Sequence, residues 1–302
     1  MTHAFGRCAF IGLLALGTGC TRSCSNDEAT ALVHGPFPRH SLANTEVRPL
    51  PRSANGRAYQ LHIALPDSYD EDPQRRYPVL YLCDAYWDFP MVATIAANLY
   101  VDRAVPELII VGLGYAGDRE HYGRLRRWDL TPVAATYPGA ETDGPSGSAP
   151  AFLSVVEQEI IPLVERDYRA TPSYRVLAGS SLGGLFTLYA MLARPGLFTA
   201  YVAASPAAQW ADDWLLRFED DFHKLGKTLG GRLFVTAAED EVEMIREGAK
   251  RFDARLRTRS LAGLRYEFRL VEGERHAGTK AESYTRGLRF AFAPLAAEPT
   301  YP

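Results

Sequence analysis

Three residue types, far apart along the chain, can together break an acyl bond. They are a serine in Gly179-Ser-Ser-Leu-Gly183, an acid in Glu239-Asp-Glu241, and His276. A serine hydroxyl is a weak nucleophile until a base removes its proton. A histidine can do this near neutral pH, and a carboxylate behind it fixes its tautomer and stabilises the imidazolium. The chain order of serine, acid, histidine is one of the known orders of such a triad, the one in which the serine stands on a sharp strand-to-helix turn.

The sequence around Ser181 has that context. The apolar run Val176-Leu-Ala178 precedes it, and Leu185, Phe186, Leu188, Tyr189, Met191 and Leu192 follow at helical spacing. Gly179 and Gly183 have no Cβ to obstruct a backbone that must pass close to itself. The helix would aim its N-terminus at the site, so the Leu182 N–H meets a developing oxyanion. A second donor is expected after strand 77–83, at the N–H of Ala85 or Tyr86.

The base is chosen by position. Of seven histidines, His3, His34 and His40 precede the folded region, His62 lies in a hairpin, His121 in a loop and His223 on a helix. Only His276 comes after the serine in a loop that follows a strand. The acid is less determined. Glu239, Asp240 and Glu241 compete, and a helix N-terminus attracts such charges for its dipole alone.

The elements that must carry these groups alternate. Residues 46–65 read as an antiparallel hairpin. Buried-type strands are expected at 77–83, 107–112, 198–204, 232–237 and 266–271. Helices are expected at 90–99, 152–168, 210–225, 242–256 and 281–292, with a long loop from about 113 to 150. This pattern predicts an α/β fold with a mainly parallel sheet and helices on both faces, and functional groups just past the carboxyl ends of the strands.

The chain has 302 residues, 47% hydrophobic and 23% charged, with net charge −3. It shows neither a basic footprint for nucleic acid nor a cysteine or histidine spacing for a metal, and no cofactor is implied. Arg7 and the apolar run 8–16 read as a signal peptide over 1–19. Leu16-Gly-Thr-Gly-Cys20 resembles a bacterial lipoprotein signal, with Cys20 as the lipid-anchored residue. Ordinary secretion, with cleavage before Ala29, is the alternative. Residues 20–45 read as a linker, 46–297 as the catalytic domain, and Cys83 as a core residue.

From about 47 to 292 the chain resembles the putative-esterase family of α/β-hydrolases, which includes siderophore esterases of the enterobactin, salmochelin and bacillibactin type, feruloyl esterases and S-formylglutathione hydrolases. The resemblance rests on Tyr77-Pro-Val-Leu-Tyr-Leu-Cys-Asp84, Val111-Gly-Leu-Gly-Tyr115, Arg127-Trp-Asp-Leu-Thr-Pro132, the helix at 157–168, Gly179-Ser-Ser-Leu-Gly-Gly184 and Ser205-Pro206. It implies an α/β-hydrolase fold and a serine carboxylic-ester hydrolase acting through an acyl-enzyme on a small-molecule ester, with the siderophore branch most similar. That branch often carries Gly-Glu-x-Glu, to which Ala238-Glu-Asp-Glu241 is similar. The match favours Glu241 as the acid, with Asp240 the alternative. Ala85 departs from the Asp-Gly usual after this strand, which places a Cβ near the oxyanion loop.

Arg124 and Arg127 either bind an anionic or catecholate substrate or form a solvated basic loop tied to Asp129. Trp87, Trp128, Trp210 and Trp214 either wall an aromatic ester site or pack at the edge of the core. Two rival functions share these residues: an acyltransferase with an alcohol acceptor, and a ligand-binding lipoprotein on a retired hydrolase scaffold.

Overall fold

Residue alternation sets one edge of the sheet. β1 (Thr45–Pro49) and β2 (Tyr59–Ala64) pair antiparallel, with Thr45 opposite Ala64 and Pro49 opposite Gln60. Tyr59, Leu61 and Ile63 of β2 are buried, while Gln60, His62 and Ala64 between them are only partly covered. β3 (Tyr77–Leu82) and β4 (Ile109–Tyr115) are buried at every residue, as strands covered on both faces must be. β5 (Ala170–Ser180), β6 (Ala200–Ala204), β7 (Gly231–Ala238) and β8 (Leu264–Val271) complete a sheet ordered β1-β2-β4-β3-β5-β6-β7-β8. β3 to β8 run parallel to one another, and β2 joins β4 antiparallel. The carboxyl ends of the six parallel strands therefore share one edge.

The structure is a computed structural model that describes residues 40–117, 119–135, 144–259 and 262–296. The expected signal peptide and Cys20 lie outside the described residues.

The two faces of the sheet carry separate cores. Leu80, Leu82, Val176, Ala178 and Val202 face one way, against Phe89 and Val92 of α1 (Ala85–Val101) and Tyr284, Leu288 and Phe292 at the chain end. Tyr81, Leu177 and Tyr201, between them in sequence, face the other way, onto Phe152, Phe186, Leu188 and Phe252. Each fully buried large side chain contributes roughly 1.5–3 kcal/mol.

Three expectations differ from the structure. Within the stretch read as a loop from 113 to 150, residues Arg119–Leu130 form a helix, α2. The single helix expected over 152–168 is continuous but starts earlier and widens inside, running as α3 (Ala149–Val155), a π-turn at Val156–Ile160 and α4 (Ile161–Asp167). Pro162 lacks an N–H and its ring crowds the preceding turn, which a locally widened helix relieves. α5 (Leu182–Ala193) follows the expected pattern. In α6 (Trp210–Lys224), Ala211, Asp212 and Asp213 have φ of 52°, 54° and 60°, so the right-handed helix begins only after them. α7 (Glu243–Arg257) and α8 (Thr279–Phe292) close the chain.

Glu107 ties the amino end of β4 to the surface. Its carboxylate accepts from the Ser68 N–H at 3.0 Å and hydroxyl at 2.8 Å, and pairs with Arg75 at 2.6 Å. Glu107→Ala strands these donors and is expected to lower unfolding stability by about 1–3 kcal/mol. Because Glu107 lies at the end of the sheet opposite Ser181, turnover of a short ester should be unchanged. A loss of turnover in folded protein would contradict this separation.

Candidate active site

The site is built outward from the turn at Ser181. β5 ends at Ser180, α5 begins at Leu182, and Ser181 between them has φ 58° and ψ −117°. A non-glycine residue in such a conformation costs on the order of 1–3 kcal/mol unless its surroundings fix it. Here both backbone groups are engaged. The Ser181 N–H donates to Ala204 O at 3.0 Å, and its carbonyl accepts from Leu185 N at 2.9 Å and Ala207 N at 3.0 Å. The turn closes so tightly that a Cβ on Gly179 would sit 2.5 Å from the carbonyl carbon and oxygen of Gly183. Ser181 is half-buried, whereas Ser180 before it is buried.

The loop after β3 lies against this turn. A Cβ on Gly183 would be 2.9 Å from Cys83 Cβ and 3.1 Å from Asp84 Oδ2. The Cys83 N–H donates to Ala178 O at 2.8 Å, carrying the β3–β5 pairing to the end of the strand. Asp84 then turns the chain in the left-handed region, φ 58°, and α1 begins at Ala85. Ala85 and Tyr86 thus hold the first two N–H groups of a helix, which have no acceptor within it. The Tyr86 N–H donates to the Tyr122 hydroxyl at 3.3 Å, a long bond. The Ala85 methyl, the departure noted from the sequence, is buried and faces Gly112, where a Cβ would stand 2.8 Å from it. The bare backbone of β4 thus accommodates it on the sheet side of the loop.

The loop is fixed by a residue that sequence reasoning did not connect to it. Arg126 of α2 donates from Nε and one terminal nitrogen to the two oxygens of Asp84, each at 2.7 Å. Asp84 is buried. Tyr122, one turn earlier on the same helix, packs edge-on to Trp87 and supplies the acceptor for Tyr86. No local signal joins Asp84 to Arg126 across 42 residues. Burial, reinforced by Asp84, raises the Cys83 thiol well above its ordinary range, so it stays protonated beneath the turn.

Glu241 and His276 meet past the ends of β7 and β8. The Glu241 side chain is fully buried, 0% exposed. Its Oε1 accepts the Ala238 N–H at 2.8 Å, and its Oε2 lies 2.7 Å from His276 Nδ1. An ionised carboxylate only accepts, so this contact assigns the proton to Nδ1 and leaves Nε2 as the basic nitrogen. Asp240 is exposed, and its N–H donates to Glu274 O at 2.9 Å, while the Glu239 carboxylate accepts the Gly273 N–H at 3.0 Å. The acid run therefore serves in two ways, with Glu239 and Asp240 stitching the two loops and Glu241 facing the histidine.

The other expected residues are placed as follows. The Arg127 guanidinium lies 5.1 Å from the centre of the Trp210 ring and donates to Ala135 O. Trp210 is buried in the core, and its indole N–H donates to Val133 O at 2.9 Å. Trp128 stacks under Arg57, which pairs with buried Asp129, and Trp214 stacks on Phe218. These three tryptophans are accounted for by packing. Arg124 is on α2, beside Gly144.

The sequence matches the family described as "Putative esterase" over residues 53–243. It is 31% identical over 270 residues to the ferri-bacillibactin esterase BesA of Bacillus subtilis, covering 84% of this chain and 91% of that protein. It is 30% identical over 175 residues to a siderophore triacetylfusarinine C esterase of Aspergillus fumigatus, covering 54% of this chain and 58% of that one. The crystal structure of the BES protein from Bacillus cereus superposes with a TM-score of 0.76 at 26% identity, covering 85% of this chain and 98% of that chain. The chain belongs to this esterase family of α/β-hydrolases. Its reaction class is carboxylic-ester hydrolysis.

Removing Arg126 would leave Asp84 buried and unpaired. Arg126→Met is expected to lower unfolding stability by about 3–5 kcal/mol. Adding Asp84→Asn, which removes the charge and tolerates the left-handed backbone, should recover part of that loss. Urea denaturation of the single and double variants checks this, and a fully stable Arg126→Met would contradict it.

Proposed function

We propose that the chain hydrolyses esters through an acyl-enzyme on Ser181, with His276 as base and Glu241 as the acid behind it. The observation that carries the reading is the 2.7 Å contact between His276 Nδ1 and a fully buried Glu241, which leaves Nε2 available to a substrate-bound serine. Ser181 Oγ attacks the ester carbonyl as Nε2 takes its proton. The oxyanion of the tetrahedral intermediate accepts from the Leu182 N–H and from the N–H of Ala85 or Tyr86. Collapse expels the alcohol, which leaves with the proton from Nε2. Water, activated by the same nitrogen, then attacks the acyl-enzyme and regenerates Ser181.

For substrate, we propose a siderophore-type ester. Two curated relatives are named for siderophore esters. On this chain the supporting feature is Tyr86, 45% exposed at the oxyanion loop. An exposed ring suits stacking with an aromatic acyl group.

The test is hydrolysis of p-nitrophenyl acetate and of a tricatecholate trilactone. Ser181→Ala and His276→Ala should each lower kcat by about a thousandfold or more. Glu241→Gln should lower it by roughly ten- to ten-thousandfold, and Asp240→Asn by less than about threefold. Full activity in Ser181→Ala would sink the mechanism. A trilactone turned over no better than the acetate would sink the substrate assignment alone.

A further inference from the structure

The two loops that complete the site are joined by a buried polar contact that the chemistry above does not use. α1 begins at the oxyanion loop, and α8 begins three residues after His276. Both helices lie on the same face of the sheet, with Phe89, Tyr284 and Leu288 in one core. Asp88, in the first turn of α1, is 1% exposed. Its Oδ1 accepts from Lys280 Nζ at 2.7 Å, and its Oδ2 accepts from the Tyr284 hydroxyl at 2.7 Å. Lys280 and Tyr284 stand one turn apart on α8, so both oxygens of one carboxylate are spent on one helix face.

Apolar packing alone does not account for this contact. Burying a charge pair carries a desolvation cost that well-packed apolar residues of similar volume avoid. A lysine in the first turn of a helix also opposes the helix dipole. What the pair adds is direction. Two short charge-assisted bonds to separate oxygens fix the rotation and the rise of one helix against the other, which interchangeable apolar contacts do less sharply. The start of α8 is tied in turn to the histidine loop, since the Thr279 N–H donates to Arg275 O at 3.0 Å. It is also tied to the sheet, where Ser283 meets Thr236 of β7 at 2.8 Å. Asp84, four residues before Asp88, is matched by Arg126 from α2, and Lys280 supplies the cation for Asp88.

We propose that Asp88 is a positioning residue which, through Lys280 and Tyr284, sets the spacing between the His276 loop and the oxyanion loop. This rests on the assignment of Ser181 and His276 above. Misplacing a catalytic group by about 1 Å costs up to roughly a hundredfold in rate.

The experiment compares wild type with Asp88→Asn, Lys280→Met, Tyr284→Phe and the conservative Lys280→Arg. It measures kcat and KM on p-nitrophenyl acetate, the rate of inactivation by a fluorophosphonate, and the melting temperature. Lys280→Met and Asp88→Asn are expected to lower kcat about 10–100-fold with KM within about threefold, and to slow inactivation by a similar factor. Tyr284→Phe, which keeps the ring in the core, should fall about 3–10-fold, and Lys280→Arg should stay within about threefold of wild type. Glu107→Ala is the control for stability lost without loss of turnover. Wild-type kcat in folded Lys280→Met and Tyr284→Phe, with Ser181→Ala and His276→Ala inactive, would overturn the positioning role and leave the triad standing. Activity surviving in Ser181→Ala and His276→Ala would overturn both.

Discussion

Ser181 is held in a backbone conformation that a serine does not choose for itself, and much of the central fold serves to keep it there. Its N–H and carbonyl are bonded to the ends of neighbouring elements, at Ala204, Leu185 and Ala207. The closeness of Gly179 to Gly183 leaves the turn no room to relax. Buried β5 and α5 on either side hold its ends. Strain of this kind persists only where the surroundings over-determine it, and here it lifts one hydroxyl from the carboxyl edge of the sheet while Ser180 stays buried.

A parallel sheet brings strand ends together but does not by itself set the loops beyond them. In this chain buried carboxylates do so. Asp84 is gripped by Arg126, Asp129 by Arg57 and Tyr59, Asp88 by Lys280 and Tyr284, and Glu241 by the Ala238 N–H and His276. Each costs desolvation and returns direction. Three of the four tie residues far apart in sequence at the edge where Ser181 stands, so loops from separate strands act as one surface. Asp129, near the end of α2 on the same buried face, anchors that helix to β2 and thereby supports Arg126.

Much of this was legible in the sequence because the sheet obeys simple periodicities. The alternation in β2 and the unbroken apolar runs of β3 and β4 mark their environments directly. α2 was hidden because its inward face carries Tyr122, Arg126 and Asp129 at helical spacing. Two of those are charged, so the face has no apolar stripe, and its partners Asp84 and Arg57 are remote in sequence. The π-turn before α4 had a readable cause in Pro162, while the strong apolar period around it kept the helix continuous. The left-handed turn at 211–213 had none, since alanine and aspartate there look helical. The choice among Glu239, Asp240 and Glu241 was likewise beyond composition. Which of them lies buried against the histidine follows from the folded loops, and it is Glu241.

The central claim is that Ser181 alone is the activated nucleophile, although Ser180 stands beside it. Reaction of the full-length protein with a fluorophosphonate, followed by peptide mass mapping, tests this directly. The account predicts one adduct per chain, on Ser181, formed rapidly in wild type and lost in His276→Ala. An adduct on Ser180, or none on wild type under conditions where it hydrolyses an ester, would contradict it.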